Sequence, residues 1–169
     1  MTLKRALCAI MAIVMLCALT ACKKDSVKSS DLEVKINGIT VSASFTVEML
    51  GSDYSVKPDT DTVGYIVYEE QSIAMVAFDE NSAVDDLRKK AIKEVAGRGV
   101  SVNGITPGAS RSDVNKAIGS PTEKHSIERL DMEVWYYRED GRSDDENYLM
   151  ITFDANGEIY LIDVAFEWF

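Results

Sequence analysis

Leu149-Met150-Ile151-Thr152-Phe153-Asp154-Ala155-Asn156-Gly157-Glu158-Ile159-Tyr160-Leu161-Ile162-Asp163-Val164-Ala165-Phe166 is two apolar, β-rich runs around a turn signal. Asn-Gly supplies the positive φ angles that a tight turn requires, so Leu149 to Asp154 and Glu158 to Phe166 read as a hairpin. Val134 to Arg138, with Trp135, Tyr136 and Tyr137 in succession, is a further strand, set off from the upstream helix by a polar connection. In that upstream segment, Ser110 followed three residues later by Asp113 resembles a capping box: the Ser side chain bonds an unpaired backbone N–H and the helix dipole favours the carboxylate. Val114, Ala117 and Ile118 give the short helix beyond it one apolar face, Gly119 is placed for a left-handed C-terminal turn, and Pro121 prevents continuation.

The first half reads the same way, more faintly. Asn37-Gly38 turns a hairpin between Leu32 to Ile36 and Ile39 to Phe45, Thr46 caps one helical turn through Leu50, and Val63 to Glu69 and Ser72 to Phe78 form a second strand pair. Ser82 with Asp85 marks a further helix start, and Val84, Leu87, Ala91 and Val95 share a face until Gly97 and Gly99 stop it. The capping signal favours a helix over 83–96, with Lys90 to Ala96 as an alternative strand.

Four matches in the same order point to an internal duplication. Asn37-Gly38-Ile39-Thr40 recurs as Asn103-Gly104-Ile105-Thr106, and Leu50-Gly51-Ser52 as Ile118-Gly119-Ser120. Val63 to Glu70 aligns with Glu133 to Asp140, an offset of 70, and Ala77 to Asn81 with Thr152 to Asn156, an offset of 75. The fold expected is α+β: two small related modules, 31–99 and 100–169, each a short helical segment packed on an antiparallel β-sheet.

The N-terminus reads as a signal. Lys4 and Arg5 precede Ala6 to Leu19, which carries no charge or strongly polar group. A helix of that length spans about 21 Å, short of the roughly 30 Å hydrocarbon core, which makes a permanent transmembrane helix the weaker reading. Leu19-Thr20-Ala21-Cys22 resembles the lipobox of bacterial lipoproteins. The resemblance implies cleavage between Ala21 and Cys22, removal of 1–21 as a signal peptide, and a diacylglycerol thioether on Cys22. All three cysteines (Cys8, Cys17 and Cys22) lie in or at the end of this segment, so the folded part is held without disulfides. The mature chain from Cys22 has 148 residues (169 less 21), enough to bury about 68–70% of its unfolded surface unaided.

Removing the signal takes away Lys4 and Arg5 but no acid, leaving 16 basic against 28 acidic residues and a formal charge of −12. Such a surface repels phosphates, which excludes nucleic acid as a partner. The polar segment 22–30 reads as a flexible tether whose Lys23, Lys24 and Lys28 lie where an anionic bilayer attracts each by about 1 kcal/mol, while the acidic domain is repelled.

The run Ile105-Thr106-Pro107-Gly108, then Ser110, Val114, Ile118-Gly119 and Pro121, Trp135-Tyr136-Tyr137 and Phe153 to Gly157 resembles the SmpA/OmlA family of small envelope lipoproteins. It is also similar to the modules that occur twice in the β-lactamase inhibitory protein. The resemblance covers roughly Gly104 to Val164 and implies a short helical segment on an antiparallel sheet and a role in binding other envelope proteins. It transfers as analogy, since fold does not fix function.

Catalytic signals are sparse. His125 is the single histidine, no cysteine remains as nucleophile in the mature chain, and no serine stands in a GxSxG arrangement. Gly97-Arg98-Gly99 lacks the third glycine of a dinucleotide loop. Asp140, Asp144, Asp145 and Glu146 cluster as hard oxygen ligands suited to a cation, but not at EF-hand spacing and with Arg142 among them. Strand alternation sets Trp135 and Tyr137 on one face, where they are candidate protein-binding anchors, and Tyr136 on the other. The expectation is a lipid-anchored, extracytoplasmic, non-enzymatic protein-binding module without cofactor or metal. The alternatives are a small-ligand or cation-binding lipoprotein and an inhibitor-like domain acting on a secreted or envelope enzyme.

Overall fold

The 149–166 stretch forms the expected hairpin, closed by a Gly157 N–H donating to the Asp154 carbonyl at 3.0 Å. Only Gly157 takes a positive φ there, 80°. The structure is a computed structural model that describes residues 27–42, 44–138 and 148–166. Its strands in chain order are β1 (Val34–Ile36), β2 (Ile39–Val41), β3 (Tyr54–Pro58), β4 (Val63–Tyr68), β5 (Gln71–Phe78), β6 (Ile92–Ala96), β7 (Val100–Val102), β8 (Glu123–Ile127), β9 (Met132–Tyr137), β10 (Leu149–Phe153) and β11 (Ile159–Ala165). One helix, α1 (Arg111–Ala117), precedes β8.

The α+β, two-module expectation fails. Among the described residues the protein is mostly β, eleven strands in two antiparallel sheets with a single seven-residue α-helix. The capping box at α1 is fully formed, with Asp113 N–H donating to Ser110 Oγ at 3.3 Å and Ser110 N–H to Asp113 Oδ2 at 3.1 Å. Its counterpart in the first half is one 3-10 turn, Val47–Leu50. Thr46 makes no side-chain cap there and Gly51, at φ 115°, ends the turn before a helix can propagate.

The helix expected over 83–96 is likewise absent. A 3-10 turn at Leu87–Lys89 is followed by β6, which lies between β5 and β11 with Ile92, Val95 and Ala96 buried. Ser82 Oγ accepts from the Val84 N–H and the Asp86 carboxylate from the Arg88 N–H, so these side chains close local turns in place of a helix start. Ladder pairing on both sides of β6 outweighs that local signal.

The large sheet has the order β3-β4-β5-β6-β11-β10-β9-β8 and the small one β2-β1-β7. Two four-stranded meanders, 54–96 and 123–165, therefore join through their last strands into one continuous sheet. The junction pairs Ala96 with Asp163, and the small sheet pairs Lys35 with Ser101. Val34, Ile36, Val100 and Val102 of the small sheet and Val114 and Ile118 of the helical segment share one apolar cluster with Val76, Phe78, Val95, Trp135, Ile151, Ile162 and Val164. The core thus occupies one face of the large sheet. Val27 packs against the same cluster, four residues ahead of the expected start at Asp31.

Equivalent local geometries recur at the matched sequences. Asn37-Gly38 and Asn103-Gly104 share φ pairs of 49° and 82°, and 49° and 78°. Phe78 and Phe153 each come directly after a register shift. The match at offset 70 slips by one residue: it aligns Tyr65 with Trp135, whereas pairing sets Tyr65 opposite Met75 and Tyr136 opposite Met150. A slip of one moves a residue to the other face.

Gly97 explains itself by close approach, since a Cβ there would lie 2.7 Å from both the Ala74 Cα and the Ile73 carbonyl oxygen. The β4–β5 turn is the opposite case: Glu69 and Glu70 hold φ of 47° and 66° with neither glycine nor asparagine to ease it. Replacing them together, Glu69→Asn with Glu70→Gly, is expected to raise stability by about 1–2 kcal/mol in urea unfolding. An unchanged or lowered midpoint counts against the strain.

Candidate functional site

Period-two alternation leaves the second face of the large sheet to other residues, and register lines one row of them across all eight strands. Lys57, Tyr65, Met75, Ala96, Asp163, Met150, Tyr136 and Glu123 are successive cross-strand partners. Reading inward from both edges gives Lys and Glu, Tyr and Tyr, Met and Met, and then Ala beside Asp. Met75 is 42% exposed, and Tyr65, Tyr136 and Met150 are half-buried. The Arg138 guanidinium lies 4.8 Å from the Tyr136 ring centroid and the His125 ring meets Tyr136 edge-on at 5.5 Å.

The acid at the middle of this row is unusual. Asp163 is only 6% exposed, and its Oδ1 has no hydrogen-bond partner. Burial, and then the Glu94 carboxyl both as a like charge and as a hydrogen-bond partner, push its pKa up to about 8. Glu94 pairs with Ala165 on one side and Ala77 on the other, so it shares the open face with Asp163. Burial, with the charges of Asp163 and Glu94 behind it, also raises the Tyr148 phenol. A cleft of about 490 Å³ opens beside the pair, walled by Val63, Ala77, Asp79, Glu80, Glu94 and Ala165 among others.

The residues singled out from sequence fall elsewhere. Trp135 is 1% exposed and Tyr137 0%, so the structure assigns both to the core in place of a recognition surface. Trp135 Nε1 donates to Glu133 Oε1 at 2.6 Å and its ring meets Phe153 at 4.7 Å, while the Tyr137 hydroxyl donates to the Gly119 carbonyl at 3.1 Å. His125 is exposed, with Nε2 3.2 Å from Glu123 Oε2. Ala21 and Cys22, and the acidic loop residues Asp140, Asp144, Asp145 and Glu146, lie outside the described residues.

Among the described residues no group of three or more His, Cys, Asp or Glu side chains could hold a metal ion. No described helix is long and apolar enough to cross a membrane. Sequence reading missed Tyr65, Met75, Met150 and Asp163. One signal was there to use: Asp163 is a lone charge inside the apolar run from Ile159 to Phe166. Set beside known protein families, characterised proteins and solved structures, the chain matches none of the three.

Proposed function

We propose that this chain is a cell-envelope lipoprotein, held at the membrane by lipid on Cys22, whose β-sheet domain works by binding another envelope protein through the open face of the large sheet. The observation that carries the reading is the row of paired Tyr and Met residues flanking the sheet centre. Tyrosine is a common anchor of protein interfaces, and methionine adapts to irregular partner surfaces. The Lys4-Arg5, apolar and Leu19-Thr20-Ala21-Cys22 pattern supports the anchor, and the SmpA/OmlA-like pattern over 104–164 supports a binding role. His125, exposed on the edge strand β8, gives an enzyme reading little to build on.

Photo-crosslinking in intact cells tests it. A photoreactive residue at Tyr65 or Tyr136 is expected to trap one and the same protein, and the same residue at Ser112 on α1 is not. Mass spectrometry of the trapped chain is expected to show a diacylglyceryl-modified N-terminal Cys22. Equal trapping from Ser112, or none from the open face, rejects the docking surface; retention of 1–21 rejects the anchor.

A further inference from the structure

We propose that the centre of the open face, Glu94 at the cleft wall with Asp163 behind it, receives one lysine or arginine side chain of the protein partner. This inference rests on the docking role of the open face and names the chemistry at its middle. Two independent features converge there. Asp163 is more than nine-tenths buried, keeps Oδ1 unpartnered, and lies against Glu94, which carries its charge to the cleft wall. Beside it, three acidic residues, Asp79, Glu80 and Glu94, line the cleft against one basic residue, Lys93, which has an interaction of its own.

Shape and charge agree on the guest. Val63, Ala77 and Ala165 line the cleft with apolar surface that a methylene stem covers, and Glu94 waits for the charged head. Met75 and Met150 on either side of the Ala96 and Asp163 pair would close over the flanks of the inserted residue. A carboxylate partner would meet the local excess of like charge, and the acidic chain as a whole steers basic surfaces toward it.

The groups that face Asp163 and the cleft are Glu94 and Lys93 on β6, Asp79 and Glu80 after β5, and Tyr148 before β10. Burial beside the Glu94 carboxyl keeps a proton on Asp163 at neutral pH in the empty site. An entering cation favours the ionised form of Asp163, so its proton leaves to solvent as the cation arrives. Binding therefore tightens as pH rises.

The probe is n-butylammonium, a lysine head and stem, added to the full chain in nonionic detergent and followed by amide shifts. Saturable shifts are expected at Ala77, Glu94 and Ala165, with a dissociation constant about tenfold lower at pH 8.5 than at pH 6. Glu94→Gln is expected to abolish them. Asp163→Asn is expected to retain binding and lose the pH dependence. Non-saturating shifts, equal shifts from n-butanol, indifference to Glu94→Gln, or an intact pH dependence in Asp163→Asn each overturn the proposal. The probe needs no partner protein, so crosslinking that succeeds while n-butylammonium fails removes this inference alone. The reverse pattern removes the docking role and leaves a cation site.

Discussion

Raising the pH from 5 to 8 is expected to destabilise this protein by several kcal/mol, and Asp163→Asn is expected to remove most of that loss. Asp163 is an acid whose folded pKa, about 8, stands above its unfolded value near 4. Between those two values the folded state binds more protons than the unfolded state, so unfolding free energy falls with pH, by at most about 1.4 kcal/mol per unit. The stability is fully present below the unfolded pKa and gone above the folded one. An Asn at this position keeps a donor for Glu94 and carries no charge, so its Tm at pH 8 is expected to rise on the order of 10 °C.

The acid side has the opposite sign. Glu133 is held below the usual carboxylate range by the Trp135 N–H and then by Arg111, and Asp154 by backbone N–H groups of its own turn. Asp113 is lowered through Ser110 and Glu33 through Lys35. Stability from these four is present above the unfolded carboxylate pKa and lost as pH falls through their folded values. Stability should therefore peak in weakly acidic solution. Thermal melts of wild type and Asp163→Asn from pH 3 to 9 read both limbs; a wild-type curve flat between pH 5 and 8 defeats the argument.

Trp135→Ala is expected to cost about 3–5 kcal/mol, enough to unfold much of the population at physiological temperature. Its ring is buried against Phe153, its N–H is bonded to Glu133, and Lys124 Nζ lies 4.1 Å from its ring centroid. Truncation leaves a cavity and takes from Glu133 the donor that holds its charge. Trp135→Phe restores most of the volume but not the N–H and should fall between. Tyr136→Ala, one residue along on the open face, should change stability by less than about 1 kcal/mol while weakening crosslinking to a partner. Denaturant midpoints separate the two positions. A Trp135→Ala protein of wild-type stability would make Trp135 a recognition residue after all.

That contrast shows where sequence was sufficient. The Asn-Gly turns, the Ser110–Asp113 cap and the strands β4, β5, β9, β10 and β11 follow from local chemistry, because each has a turn residue or an apolar run that nothing distant needs to explain. β3 and β8 gave no such signal. They are the two edges of the large sheet, every residue of β8 is exposed, and β3 ends on Pro58, which an edge strand tolerates. β6 misled for the opposite reason. Its burial comes from ladders on both sides, to β5 and to β11, the latter far away in sequence, while the turn-forming side chains just before it speak only for themselves.

The open face lies between these cases. Sequence alone established a chain without disulfides in its folded part, strongly acidic, with a lipobox-like segment and a set of amphipathic strands, since these depend on composition and nearest-neighbour geometry. The tertiary structure alone decided that two meanders merge at β6 and β11, that Trp135 and Tyr137 turn inward and Tyr136 outward, and that Asp163 becomes the buried centre of a row eight strands wide. Each of those depends on register, and a shift of one residue in any ladder would have sent a different side chain to each face.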